Sequence, residues 1–135
     1  MQAPYGRRAA STAIYFLITP GAVSRLHRIQ ADEVWHFYLG SPLVVVEITE
    51  DGELTKTILG SNVLSGEECP SVPQHVVRAG TWFGCYPLDG GEFSFVGCTV
   101  APGFEFSDFE LASRDKLLAR FPQHAAEIEP LTVGL

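Results

Sequence analysis

Basic residues are scarce in this 135-residue chain. Nine Lys and Arg stand against sixteen Asp and Glu, for a net charge of −7. Nucleic acids and anionic membranes are held by clustered Lys and Arg, so neither is expected as a partner. An acidic total still leaves room for a local basic pocket. No apolar run approaches the roughly 20 residues of a membrane span, and the opening MQAPYGRRAAS lacks the apolar core of a secretory signal. Cysteine is sparse: Cys69, Cys85 and Cys98 have no CxxC spacing and leave an odd one over. Reduced thiols in a cytoplasmic protein are the simpler reading. Internal repeats, low-complexity tracts and linkers are absent, so the size predicts one domain over residues 1–135.

Hydrophobic residues make up 46% of the chain and charged ones 19%, as in a folded globular protein. Strand signals run from Ser11 to about Ala101. TAIYFLI is β-branched and aromatic, and TPG turns the chain after it. EVWHFYL and PLVVVEI follow, then a hairpin turn at Asp51-Gly52 and the strand LTKTIL. A polar loop spans Ser61 to Pro73. HVVRAGTWFGCYPL reads as two strands hinged at Gly80, LDGGEF as a turn, and FSFVGCTVA as a last strand. Seven or eight short strands predict an all-β sandwich or barrel. After Pro102 the character changes. Ser107 is expected to cap a turn starting at Asp108, and Ser113 a helix over Arg114 to Arg120 with Asp115 in its first turn. Pro122 opens a helical stretch whose Ala126 and Ile128 would lie against the barrel. The residues from about 102 to 135 form a helical cap.

The stretch GAVSRLHRIQADEVWHFYLG, Gly21 to Gly40, carries the chemistry. Strand side chains alternate, so Val23, Arg25, His27 and Ile29 should share one face, and Glu33, Trp35 and Phe37 another. If both faces look into the barrel, Arg25, His27 and Glu33 converge beside two aromatics. Burying three ionisable groups is costly unless they pair or serve a ligand. One reading is an internal Arg–Glu pair with a hydrogen-bonded His; the other is the polar corner of a ligand pocket. His36 has the opposite parity and belongs at the surface or a subunit contact, unless a β-bulge turns it inward.

The spacing G-x5-H-x-I-x3-E-x6-G resembles the first motif of the cupin superfamily, with Ile29 where metal cupins carry a second His. Arg78-Ala79-Gly80-Thr81-Trp82-Phe83 resembles the second motif, with Phe83 at the remaining ligand position. STAIYFLITPG, SRLHRIQADEVWHFYLGSPL and VGCTVAPGFEFSDFEL are similar to one cupin subfamily, the cupin-5 or RmlC-like type, over roughly Ser11 to Leu131. Members usually carry a helix and a Glu-Gly-Gly-containing strand before this point, a segment expected to be missing here. The resemblance implies a jelly-roll barrel (a double-stranded β-helix) over about 11–101 and a homodimer. Uncovered strand edges point the same way, with Tyr15, Phe16 or His36 expected near the interface.

Three classes of function follow. In the first, a metal-independent isomerase or epimerase acts on a small carbonyl or sugar-like anionic substrate. His27 takes a proton, Arg25 holds the anionic group, and Glu33 orients the imidazole. That chemistry is borrowed from the metal-free rhamnose-pathway epimerase by fold analogy. In the second, Trp35, Phe37, Trp82 and Phe83 form a box that binds a small ligand without reaction. In the third, His27, Glu33 and a bulged His36 hold a divalent transition metal for oxygenase or hydrolase chemistry. With two of four ligand positions lost, no cofactor is expected. His75 precedes the second motif, within reach of the barrel mouth, but nothing in the sequence fixes it there, and His124 reads as solvated. Phe104, Phe106 and Phe109 are expected to pin the tail, and Cys98 to be a small buried hydrophobe. Neither Cys69 nor Cys85 has an adjacent base to activate it.

Overall fold

The computed structural model describes residues 7–61, 70–88 and 91–134. Within them the chain forms β1 (Thr12–Ile18), β2 (Ser24–Arg28), β3 (Asp32–Gly40), β4 (Leu43–Ile48) and β5 (Leu54–Leu59). Then come β6 (Gln74–Val77), β7 (Trp82–Pro87), β8 (Ser94–Ala101) and the two-residue β9 (Glu110–Leu111). A four-stranded sheet in the order β1-β8-β3-β6 packs on a five-stranded one, β5-β4-β7-β2-β9. All strand pairs within the sheets are antiparallel. This is the expected all-β jelly roll.

Two apolar layers hold it. The first lies between the sheets and contains Trp35, Val45, Val77, Phe83 and Val96. The second lies outside the five-stranded sheet, where Leu117 and Phe121 of the tail cover Val44, Val46 and Trp82. Strand β4 is buried on both faces, which explains its unbroken apolar run: Leu43 and Val45 look inward while Val44, Val46 and Ile48 look toward the cap. Glycines bracket the β2–β3 unit because its ends need them. Gly21 and Gly40 both have positive φ, and a Cβ on Gly40 would sit 2.3 Å from the Phe93 carbonyl oxygen.

The tail forms α1 (Arg114–Arg120) and α2 (Ala125–Ile128), flanked by 3₁₀ turns at Pro122–His124 and Glu129–Leu131. Ser113 stands at the N-cap of α1 without a side-chain capping bond, and Asp115 supplies the acidic first turn. Some details differ from the sequence expectation. The turn before β9 begins at Phe106, with Glu105 rather than Ser107 ahead of it. Ile128 is buried beneath the cap but Ala126 faces outward. His124 is not free in solvent: its Nε2 is 2.7 Å from the Gly52 carbonyl oxygen, tying the tail to the β4–β5 turn. The middle of the Ser61–Pro73 loop, including Cys69, and part of the LDGGEF turn lie outside the described residues.

Candidate functional site

A cavity of about 300 Å³ opens between the sheets on the side of β1, β2 and β8. His27, Glu33, Ser24, Thr12 and Cys98 are its polar lining; Trp35, Ile29, Phe16, Phe104 and Phe109 are among its apolar walls. Strand β3 behaves as alternation predicts: Glu33 and Trp35 point in and His36 points out, 3.0 Å from Thr99 Oγ1.

Strand β2 does not alternate so simply. Ser24 pairs with Cys85 and His27 with Phe83, so three steps on β2 match two on β7. The extra residue is a β-bulge, and it brings Ser24 and His27 to the same side. Leu26 consequently falls into the outer layer under the cap. Arg25 is exposed, its guanidinium near Gly134. The expected convergence of Arg25 with His27 and Glu33 therefore does not occur, because strict two-residue periodicity holds only where register is unbroken.

The bulge also fixes the imidazole. His27 Nδ1 lies 2.7 Å from the Arg25 carbonyl oxygen and donates to it. In the neutral ring the proton then sits on Nδ1, leaving the Nε2 lone pair free. The ring is held between Phe83, at 4.2 Å between centroids, and Phe109, stacked at 5.2 Å. Burial lowers the imidazole pKa, offset in part by the Arg25 carbonyl. Glu33 is hydrogen-bonded to Cys98, not to His27, so the backbone orients the imidazole. Burial raises the Glu33 carboxyl to about 7, with the Cys98 contact pulling the other way. The Cys98 thiol is pushed up by its own burial and by the neighbouring Glu33 charge, so it stays protonated.

The proposed aromatic box is only partly assembled. Trp35 lines the cavity, and Phe83 stands behind His27 in the core. Phe37 packs against the core without lining the cavity. Trp82 is on the opposite face of β7 from Phe83, under the cap, with the Arg28 guanidinium 4.4 Å above its ring. Adjacent strand residues cannot share a face, so Trp82 and Phe83 could not both reach one pocket. Phe104 and Phe109, expected only to pin the tail, do line the cavity, whereas Phe106 is exposed. Three Phe within six residues of an otherwise polar segment was the available signal. Farther along the interior, His75 Nε2 and Glu47 Oε2 are 2.6 Å apart, so His75 is held by a partner on β4 that sequence distance conceals.

The four cupin ligand positions all turn inward, but only two carry donors. Ile29 and Phe83 offer none, and His36 is on the wrong face. Among the described residues no group of three or more His, Cys, Asp or Glu could hold a metal. The donor set does not fit a transition metal. Purified protein should carry far less than one equivalent of iron, zinc or manganese and should melt at the same temperature in chelator. About one tightly held ion per chain by elemental analysis would overturn this.

A jelly roll whose inner cavity is built from the Gly-bracketed β2–β3 unit and the strand after Gly80 defines a cupin. The chain belongs to the family described as Cupin superfamily (DUF985), which matches residues 1–112. It is similar to a crystallised protein from Shewanella oneidensis, 43% identical with a TM-score of 0.86, over 96% of this chain and 78% of that one. A hypothetical protein from Leishmania major is 33% identical with a TM-score of 0.83, over 97% and 81% of the two chains. A dTDP sugar isomerase from Desulfovibrio desulfuricans shares the fold at 15% identity and a TM-score of 0.65, over 88% of this chain and 74% of that one. No match is found among curated proteins. No helix among the described residues is long and apolar enough to cross a membrane.

Proposed function

We propose that this cupin binds a small, neutral carbonyl compound in the β1–β2–β8 cavity and isomerises it by proton transfer without a metal. The observation that carries the reading is that one cavity is lined by an imidazole locked through Nδ1, with Nε2 free, and by a carboxyl that burial raises to about 7, so that near neutral pH it can both give and take a proton. His27 Nε2 takes a proton from the carbon next to the carbonyl. The bonding pair forms the enol double bond while Glu33 gives its proton to the carbonyl oxygen. Where the enol is an enediol or is conjugated with a second double bond, the His27 proton returns to the far carbon of that system on the same face and an O–H proton goes back to Glu33, which completes an isomerisation with nothing oxidised or reduced. An anionic substrate is not favoured. Arg25 is outside, and among the described residues no Lys or Arg lines the cavity to offset the cost of burying a negative charge.

The test is solvent deuterium exchange into a panel of small cyclic and aryl ketones and lactones. Exchange that disappears in His27→Ala supports the reading. A compound that binds in the cavity but never exchanges would replace it with the non-catalytic ligand binder, which the apolar walls also suit.

The two titrating groups set a pH window. Proton transfer needs His27 neutral and Glu33 protonated, so activity should fall above about 7 as Glu33 ionises. It should also fall in acid as His27 protonates, at a pH below the ordinary imidazole value of 6.5. Glu33→Gln keeps a hydrogen-bond donor but has no transferable proton, so exchange should fall strongly and whatever remains should lack the alkaline limb. Stability follows the same logic. Between 4.5 and about 7 the unfolded chain has lost the Glu33 proton while the folded chain retains it. Stability therefore drops as pH rises through that range, by at most about 3 kcal/mol. Denaturant melts at pH 8 should find Glu33→Gln more stable than wild type, and near pH 4.5 the two should coincide.

We also propose a homodimer through the outer face of the four-stranded sheet. Edge strand β1 carries no charge, and Tyr15, Tyr38 and Phe95 form a cluster there with centroids 5.5–6.0 Å apart. Tyr15 is 78% exposed. Phe16, by contrast, faces the cavity and is unsuited to an interface. Sedimentation at micromolar concentration should show a dimer that Tyr15→Lys dissociates; a wild-type monomer would refute it.

A further inference from the structure

The segment joining β8 to α1 crosses the cavity as a strap, and its two ends are fastened differently from its middle. At the front, Gly103 N–H donates to the Ala9 carbonyl and Phe104 N–H to Thr12 Oγ1, at 2.8 and 2.9 Å. At the back, β9 pairs with β2, and Glu110 accepts from Arg28 at 2.5 Å. Between these anchors the backbone bonds from Asp108 to Glu105 and from Phe109 to Phe106 stay within the turn itself. The middle is held by side chains: Arg8 bonds Asp108, lies 3.5 Å from Glu105, and donates to the Gly103 carbonyl. A backbone turn without hydrogen bonds to the body has a low opening cost.

Phe109 stands where that turn meets the site. It lines the inner cavity and also a separate outer basin of about 550 Å³. Ile29 is the other residue common to both, so these two side chains form the partition. Phe109 belongs to the strap, whereas Ile29 is buried in the core.

We propose that residues 105–109 are the lid of the cavity, with Phe109 as its gate and Arg8 as its latch. Displacing the turn lifts Phe109 off His27, joins cavity to basin, and opens an entrance past the catalytic imidazole. Closure restores the stacked ring and keeps water from the cavity.

Trp35 offers a built-in reporter. Its indole Nε1 is buried with no hydrogen-bond partner among the described residues, so exchange of that proton depends on access of water alone. Trp82 Nε1 is equally buried and unpartnered but sits under the helical cap, in the other apolar layer. Indole hydrogen exchange by NMR should accelerate at least tenfold at Trp35 in Arg8→Ala and in Asp108→Asn, with Trp82 unchanged. Raising salt on the wild-type protein should move Trp35 in the same direction by screening the pair, which keeps the test open if a variant folds poorly. Unchanged Trp35 exchange under all three conditions, or equal acceleration of both indoles, would overturn the lid. No substrate enters the measurement, so it stands or falls separately from the proton-transfer reading.

Discussion

Replacing His27 by Ala should lower deuterium exchange at least about 100-fold, the scale of a lost general base, while the protein still folds. Its ring borders an existing hollow, so truncation enlarges the cavity and does not tear the core. The Arg25 carbonyl loses its donor, a loss of about 1–3 kcal/mol if nothing replaces it. Here the vacated space adjoins the cavity and Phe109 loses the ring it stacks on, so water can enter past the strap and take the donor's place. A fall of a few degrees in melting temperature is the expected structural effect. If His27→Ala instead melts many degrees lower, and ligand binding measured well below that point is unchanged, the histidine is a structural group.

Phe83→Ala should do the reverse. Phe83 is 1% exposed, meets the Trp35 ring edge-on at 6.1 Å and backs the His27 ring at 4.2 Å. Deleting it removes a side chain from the centre of the inner layer, where surrounding strands cannot collapse, at about 3–5 kcal/mol. For a domain of this size that corresponds to a melting point lower by roughly 10–15 °C. Ligand affinity should fall too, since His27 loses the surface that sets its ring plane. Phe83→Leu should recover much of the stability but not the ring contact. Thermal melts and ligand titrations on both variants separate the two effects. Stability within about 1 kcal/mol of wild type in Phe83→Ala would refute a close-packed inner layer around this ring.

Interactions confined to one strand or helix were legible in the sequence. LTKTIL is β5 to the residue, and Ser113 with Asp115 marked the start of α1 over Arg114–Arg120. Unbroken alternation put Glu33 and Trp35 inside and His36 outside. The lack of donors at Ile29 and Phe83, two of the four cupin ligand positions, was likewise visible in the sequence. These readings rest on periods of 2.0 and 3.6 residues and on side-chain chemistry, which are properties of the chain itself.

Tertiary structure decided the rest. One added residue between Ser24 and His27 sends Arg25 outward, away from His27 and Glu33. That bulge is defined against β7, more than fifty residues away, and the local pattern of β2 contains no sign of it. Trp82 is lost to the pocket because a second apolar layer exists beneath the tail to receive it. Phe109 reaches His27, and Glu47 reaches His75, through folding that brings distant strands together. The protonation of Glu33 is likewise a matter of burial, since a carboxyl's pKa depends on the dielectric around it. The sequence by itself determined which groups are available and the faces of each regular strand; the packing of one sheet on the other determined which of them meet.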